Sequence, residues 1–456
     1  MDRGPVNFLA VLDGAKLTPR YLATLMLIGI QEIFEYFDFF IIGYLMAVLA
    51  PQWKLNFGES SLILVGAGMG SILGSAIAGW IADRVGRKPV LVISIFLYSI
   101  SAGLVTLIPD GAWLLFAALR FLIGLGSAAA VTVQVALLVE ITPTRYRTFL
   151  TSVMITPVSL GIMLAALSSS MLFHLIGWRG IAGLGASPVV LGVLTLLVVP
   201  ESARWLVSRG KLAQAREAAA KQLGVPAQSL PMPEPEYKAS EQTSIASVLS
   251  DRGRFFWVVI TWLGLSTTTY GIQLWGPTIL ALSLNLPLDR VAAYFVSISL
   301  VGTIGRLAFS AIPVWVGRRR AAQLMAFGTA AAIAVGGLCF RIWWGPVPVF
   351  VVCLNVTAFF LSGGFANITP YVAEAFPVRL AGRAMGLAQS VNGLGKIFGP
   401  MCLAVIAGTG DLVTPKATAA AVQPAFLFLA ACAAVAGIAY VAFRRETNGV
   451  PLELDR

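Results

Sequence analysis

Charge is what this sequence has least of. Asp, Glu, Lys and Arg make up 12% of its 456 residues, against 58% hydrophobic residues, where a soluble globular chain carries about 25% charge. A water-soluble fold is therefore excluded. Histidine occurs once, at His174. A single imidazole supports no ligand cluster, and no nucleophile–base set stands elsewhere, so an enzyme is not expected. The four cysteines, Cys339, Cys353, Cys402 and Cys432, fall in apolar runs without paired spacing. They read as small buried hydrophobes, with no disulfide framework, metal site or cofactor implied. A short cleavable signal is also missing: Asp2, Arg3, Asp13, Lys16 and Arg20 interrupt the first twenty residues before any apolar core. The net charge of +11 is spread over short loops, which suits membrane orientation better than nucleic acid.

Long apolar runs fill the space the charges leave. A bilayer crossing needs ~20 residues, and twelve candidate spans are predicted at 22–50, 60–82, 89–109, 113–139, 149–173, 180–199, 255–284, 291–316, 321–340, 347–372, 384–408 and 422–443. With the N-terminus inside, the inner segments hold 24 of the 32 Lys and Arg. The outer loops hold only Lys54, Arg179, Arg290, Arg341 and Lys416. This bias predicts a multi-pass protein with both termini cytoplasmic, in a plasma membrane such as a bacterial inner membrane. The one long connection divides the chain into 1–199, a linker at 200–254 that is helix-like from Lys211 to Gln222 and then rich in proline, and 255–456.

The halves repeat one another. Glu140-Ile-Thr-Pro143-Thr-Arg145 follows span four, and Glu374-Ala-Phe-Pro377-Val-Arg379 follows span ten. Gly79-Trp-Ile-Ala-Asp83-Arg84-Val-Gly86-Arg87-Lys88 follows span two, and Val316-Gly317-Arg318-Arg319-Arg320 follows span eight. Two matches at nearly one offset, each between equivalent spans, indicate duplication. The expected fold is all-α and integral to the membrane: twelve helices in two six-helix bundles.

These motifs carry a resemblance. G-x-x-x-D-R-x-G-R-K is similar to the signature of the major facilitator superfamily. The E-x-x-P-x-R loops, Gly177-Trp178-Arg179, and Pro200-Glu201-Ser202-Ala-Arg204-Trp-Leu resemble the sugar porters and their relatives. Glu35-Tyr-Phe-Asp38-Phe-Phe-Ile-Ile-Gly43 is similar to the first span of the metabolite:proton symporters. The likeness covers essentially the whole chain. There are departures. Val314 and Trp315 stand where the first half has Asp83 and Arg84, which predicts a lopsided gate. Span seven, Thr267 to Pro277, lacks the paired glutamines and asparagine of hexose carriers, and span five lacks the Gly-Pro pattern of drug antiporters.

The carboxylates of span one point to chemistry. Glu32, Glu35 and Asp38 lie inside an apolar run from Leu22 to Ala50, and an ionised carboxylate at that depth costs on the order of 2.5–3.5 kcal/mol. For Glu32, a position near the surface stays open. Asp38 is too deep for that and must face a cavity or a cation. Arg120 lies seven residues into span four, about 10 Å deep. In sugar porters an acid of span one and an arginine of span four form a proton-linked pair, and the resemblance assigns proton coupling to Asp38, Glu35 and Arg120. Snorkelling of Arg120 is the alternative. Arg306 and Lys396 also lie within spans, and with Arg120 they make the interior cationic unless all three acids are ionised. That suits an anionic substrate, although each cation could instead pair with a carboxylate or carbonyls and serve packing. Substrate contacts are expected from Arg306, Lys396, Tyr270, Gln273, Trp275 and Asn392. The resemblance places an inner gate on Asp83, Arg84, Arg87, Glu140, Arg147, Glu201, Arg204, Glu374 and Arg379, whose charges pair in the outward-open state and separate in the inward-open one.

The expected function is secondary transport by alternating access: proton-coupled uptake of a small organic anion by a monomer, with the proton, substrate and bilayer as partners. A sugar or polyol carrier is the nearest alternative, and a substrate sensor that does not translocate is another.

Overall fold

The computed structural model describes residues 8–143, 145–146, 150, 156–234, 251–376, 378–443 and 446–447. A short helix α1, Phe8–Asp13, precedes the first span α2, Pro19–Gln52. Thr18 caps α2 by accepting from Tyr21 N, and Pro19 occupies the first turn, where its missing N–H costs nothing. The spans α3, Phe57–Val85, α4, Arg87–Val105, and α5, Trp113–Ile141, follow. Then come α6, Thr156–Gly183, and α7, Pro188–Val198, joined through a 3₁₀ turn at Leu184–Ala186. Two small helices, α8, Ala203–Ser208, and α9, Leu212–Leu223, form the connection. The second half holds α10, Arg252–Ser283, α11, Leu288–Val316, α12, Arg318–Leu338, α13, Val349–Ala375, α14, Val378–Ala407, and α15, Pro415–Ala442. One hairpin, β1, Trp343–Trp344, against β2, Val347–Pro348, turns at Gly345.

Eleven helices among the described residues are long and apolar enough to cross a membrane. The expected twelve differ by one because spans five and six run together. Their predicted loop shrinks to a kink at Gly177, whose φ of 64° and ψ of −175° only glycine adopts easily. Several helices also outrun their predicted spans, as α12 and α15 do at their starts. Hydropathy marks the lipid-facing middle of a helix, while capping decides its ends.

Glycines set how closely the spans approach. A Cβ on Gly124 of α5 would lie 1.9 Å from Ala67 O of α3, and one on Gly70 or Gly74 of α3 would lie 2.0 or 2.1 Å from carbonyls of α5. In lipid, where no hydrophobic force drives helices together, such backbone contact supplies the packing. The second half repeats it: a Cβ on Gly305, 231 residues after Gly74, would lie 2.0 Å from Phe359 O of α13.

The start of α2, beside α9, and the end of α15 define one face, called the terminal face here, and the loops after α2 and α14 define the far face. Hydrogen bonds that tie the two halves lie toward the far face. Asn56 pairs with Leu412 in an isolated bridge, flanked by Phe57 N to Asp411 O at 3.0 Å and Gly58 N to Thr409 O at 2.9 Å. Ser61 Oγ donates to Pro400 O at 3.2 Å, Thr278 Oγ1 to Gly43 O at 3.3 Å, and Ser170 Oγ to Asp289 O at 3.2 Å. Toward the terminal face, Gln389 and Ser390 of α14 are exposed, and a Cβ on Gly386 would meet nothing within 4 Å. These hydrogen bonds that join the halves thus cluster at the far face.

Candidate functional site

The three carboxylates of α2 recur every three residues, so they follow one side of the helix with a slow drift. Asp38 meets Arg120 of α5. Arg120 Nη1 donates to Asp38 Oδ2 at 3.2 Å and to Asp38 O at 2.9 Å, while Nη2 donates to Phe39 O at 3.2 Å. Both residues are buried, at 4% and 2% exposure. Arg120 therefore turns inward and does not snorkel. The 3₁₀ turn between α6 and α7 closes on this pair, since a Cβ on Gly185 would lie 2.6 Å from Asp38 Oδ1. Gly185→Ala is expected to force Asp38 off its geometry, at a cost of about 1–3 kcal/mol for overpacking. The checks are a lower Tm of the purified protein and reduced proton-driven uptake; an unchanged variant on both counts would show that the turn does not fix Asp38.

Glu35 and Glu32 face the second half instead. Glu35 is in electrostatic contact with Lys396 of α14, and Glu32 with Arg306 of α11. Gln31 Nε2 donates to Glu35 Oε1 at 3.1 Å. Glu35 is buried, whereas Glu32, Arg306 and Lys396 are half-buried. Glu32 is thus half-buried, and the charge of Arg306, from the other half of the chain, acts on it.

Lys396 also sits among aromatic rings. Its Nζ lies 4.7 Å from the ring centre of Phe39 and 5.7 Å from that of Tyr270. Phe40 stacks on Tyr270 with ring centres 6.1 Å apart and an interplanar angle of 9°, and Tyr36 stacks on Phe40 at 6.3 Å and 18°. Tyr270 Oη donates to Asn392 Oδ1 at 3.1 Å, and Asn392 Nδ2 donates to Ser266 Oγ at 3.0 Å. Cation, rings and amide thus converge between α2, α10 and α14. The sequence pattern did not single out Tyr36, Phe39 or Phe40, because an aromatic in an apolar span looks like ordinary core.

Two expected ligand contacts sit elsewhere. Trp275 is fully buried, donates its indole N–H to Pro400 O at 3.1 Å and packs on Phe57 with ring centres 5.6 Å apart. It belongs to the far-face seal. Gln273, two residues before it, is half-buried, and its carbonyl lies against Gly43.

Polar atoms without partners gather beside the acids. Glu35 Oε2, Gln31 Oε1, Tyr98 Oη of α4 and Gln134 Oε1 of α5 are buried and lack a hydrogen-bond partner. Tyr98 is in electrostatic contact with both Glu35 and Asp38.

The family model described as "Sugar (and other) transporter" matches residues 26–455. The chain belongs to that family. It is a major facilitator carrier and not an enzyme. This carrier is 27% identical over 407 residues to the niacin transporter NiaP of Acinetobacter baylyi, covering 87% of this chain and 89% of that one. It is 26% identical over 380 residues to the cis,cis-muconate transport protein of the same species, covering 82% and 85%. Its fold resembles the inward-open conformation of the xylose transporter XylE from E. coli, with a TM-score of 0.73 and 17% identity over 94% of this chain and 98% of that one.

At the terminal face of this carrier, charges interlock within each half. Arg87 donates to Glu140 Oε1 through Nε at 3.2 Å and Nη2 at 2.9 Å, and to Asp83 Oδ1 at 2.8 Å. Arg204 donates to Glu140 O at 2.9 Å and Asp13 Oδ1 at 2.7 Å. Glu201 accepts from the N–H groups of Ser202, Arg87 and Lys88 and so caps the start of α4. Burial pushes the Glu201 carboxyl above its ordinary range, and the Ser202, Arg87 and Lys88 N–H groups and the Arg87 charge pull it back. Arg84 departs from expectation: it stacks on Trp80, one turn earlier, at 3.6 Å. Arg147 and the side chain of Arg379 lie outside the described residues.

The second half repeats this arrangement around the expected Glu374, with Arg318, Glu446 and Thr447 as partners that the sequence pattern did not place there. Arg318 forms a bidentate pair with Glu374, both contacts at 2.6 Å. Glu446 accepts from Arg318 N and Arg319 N at 2.9 and 3.2 Å, and Thr447 Oγ1 donates to Glu374 Oε2 at 2.7 Å. Glu446-Thr447 thus repeats Glu201-Ser202, and the lopsidedness reduces to one acid, Asp83, replaced by Val314. At this face each half thus holds a charge network of its own. Glu374→Gln is expected to cost about 1–3 kcal/mol through the lost charge-assisted bonds, read as a lower Tm. A Tm equal to the parent's would reduce the pair to a solvated contact.

Proposed function

We propose that this carrier takes up a small organic anion together with a proton, and that its preferred cargo is a carboxylate on an aromatic or conjugated frame. The supporting observation is the setting of Lys396: a half-buried ammonium beside Glu35, above the faces of Phe39 and Tyr270. A carboxylate suits the ammonium and a flat conjugated frame suits the rings. The relatives named for niacin and muconate transport handle molecules of this kind.

Coupling follows from competition. While Glu35 is ionised it satisfies Lys396 and repels an incoming carboxylate. Protonation of Glu35 removes the competitor, so proton and anion load together. The Glu32 and Arg306 pair repeats this logic one turn nearer the terminal face. Asp38 and Arg120, joined within the first half, hold the second, deeper proton site. The residues of 1–199 and 255–456 act as two rocking bundles about this site, with the terminal face cytoplasmic, as the Lys and Arg distribution requires.

The test is binding and exchange on purified protein. Niacin, muconate and related carboxylates are expected to raise the Tm and to exchange by counterflow in proteoliposomes, while xylose and polyols do neither. Stabilisation by sugars alone would replace the organic-anion assignment, and binding without exchange would indicate a sensor.

A further inference from the structure

At the terminal face of the first half lies a cavity of about 710 Å³, remote from the central site. It is bounded by the start of α2, the junction of α3 and α4, the end of α7, and α9. Four cations line it: Arg20, Lys88, Lys211 and Lys221. Two acids share the lining. Glu201 is already engaged by three backbone N–H groups, and Glu217 is exposed on α9 one turn before Lys221. The positive charges therefore outnumber the negative, and the charges of Lys88 and Lys221 repel across the space. Arg20 Nη1 reaches Lys221 O, at the C-terminal end of α9, at 3.2 Å, so α9 is fixed against α2 and the cations are held in place.

The rim has the opposite character. Val85 and Leu197 line the same cavity and are 56% and 74% exposed on spans that face lipid. A site that is basic inside and apolar at its membrane edge fits a phosphate head with acyl chains attached better than a soluble phosphate. The repeat supplies an independent observation. The second half carries a cavity of about 380 Å³ lined by Val316, Arg319, Arg320 and Glu446. Val316 and Arg319 stand 231 residues after Val85 and Lys88, and Glu446 caps Arg319 N as Glu201 caps Lys88 N. The same combination of cation, capping acid and lipid-facing valine has thus been kept in both halves, although neither cavity is lined by residues of the central site.

We propose that the first-half cavity binds the phosphate of an anionic glycerophospholipid from the leaflet at the terminal face, holding α9 and the linker against the first bundle. The test uses the full-length protein in detergent, titrated with short-chain phosphatidylglycerol or phosphatidylcholine and followed by Tm. Phosphatidylglycerol is expected to raise the Tm at concentrations where phosphatidylcholine does not. The double variant Lys211→Gln/Lys221→Gln, both positions exposed on or beside α9, should keep the parent's lipid-free Tm and bind phosphatidylglycerol about tenfold or more weakly. Equal responses to the two lipids, or full phosphatidylglycerol binding by the double variant, would overturn the proposal. Displacement of phosphatidylglycerol by sn-glycerol 3-phosphate would also overturn it and assign the cavity to a soluble phosphate.

Discussion

Asp38→Asn is expected to abolish proton-driven accumulation while leaving counterflow exchange intact. The carboxyl is buried against Arg120, with no other cation in hydrogen-bond reach among the described residues, so its protonation leaves that arginine without its carboxylate partner. Removing one partner of a buried pair ordinarily costs about 3–5 kcal/mol, because a charge is left without compensation. Here the penalty is softened. Arg120 also donates to Asp38 O and Phe39 O, and the asparagine Oδ1 can still accept from it. The variant should therefore fold, bind substrate and exchange it down a gradient. With no ionisable group at position 38, a proton gradient has nothing to act on there. Accumulation by Asp38→Asn equal to that of the parent would move proton coupling entirely to Glu35 and Glu32. Loss of counterflow as well would mean that Asp38 acts in the structural transition and not in coupling.

The pattern of spans was legible because hydropathy over twenty residues is a strong signal, and the deep acids were legible because lipid makes them costly. Asp38 with Arg120 could be paired from depth together with the likeness to sugar porters. The partners of Glu32 and Glu35 could not. Arg306 and Lys396 lie 274 and 361 residues further along the chain than Glu32 and Glu35, and only the meeting of α2 with α11 and α14 decides which cation faces which acid. Trp275 shows the reverse limit. Its type suits a ligand pocket, but Pro400 O and Phe57 claim it for the far-face seal. The second-half network hid for another reason. Glu446 stands 245 residues after Glu201, not the 231 that relates Arg318 and Arg319 to Arg87 and Lys88, and its role becomes visible only when Gly317 brings Arg318 N and Arg319 N to it.

The placement of contacts at the two faces also bears on the gate. The ion pairs of each half hold together neighbours of the same half, so they do not by themselves distinguish the two access states. What the far face gains by sealing must be given up there in the opposite state: the Asn56 and Leu412 bridge, the Ser61 and Thr278 hydrogen bonds, and the stacking of Trp275 on Phe57. These are few and mostly neutral contacts, each worth about 0.5–1.5 kcal/mol, which suits a contact that breaks in every cycle.

Lys396→Gln is expected to raise the substrate dissociation constant roughly ten- to a hundredfold, since a charge-assisted contact contributes ~1.5–3 kcal/mol. Glutamine keeps a donor of similar reach, and it leaves Phe39 and Tyr270 in place, so ring contacts survive while the charge is lost. Competition with Glu35 adds a second expectation that a purely structural lysine would not meet. Above the pH at which Glu35 ionises, Glu35→Gln should tighten anion binding, because Lys396 loses its resident carboxylate. In Lys396→Gln the same Glu35→Gln change should then have little effect. A double-mutant cycle read by isothermal titration with the substrate measures this coupling directly. Additive effects of the two substitutions would separate Glu35 from the anion site. Unaltered affinity in Lys396→Gln would move the carboxylate to Arg306, the other second-half cation facing an acid of α2.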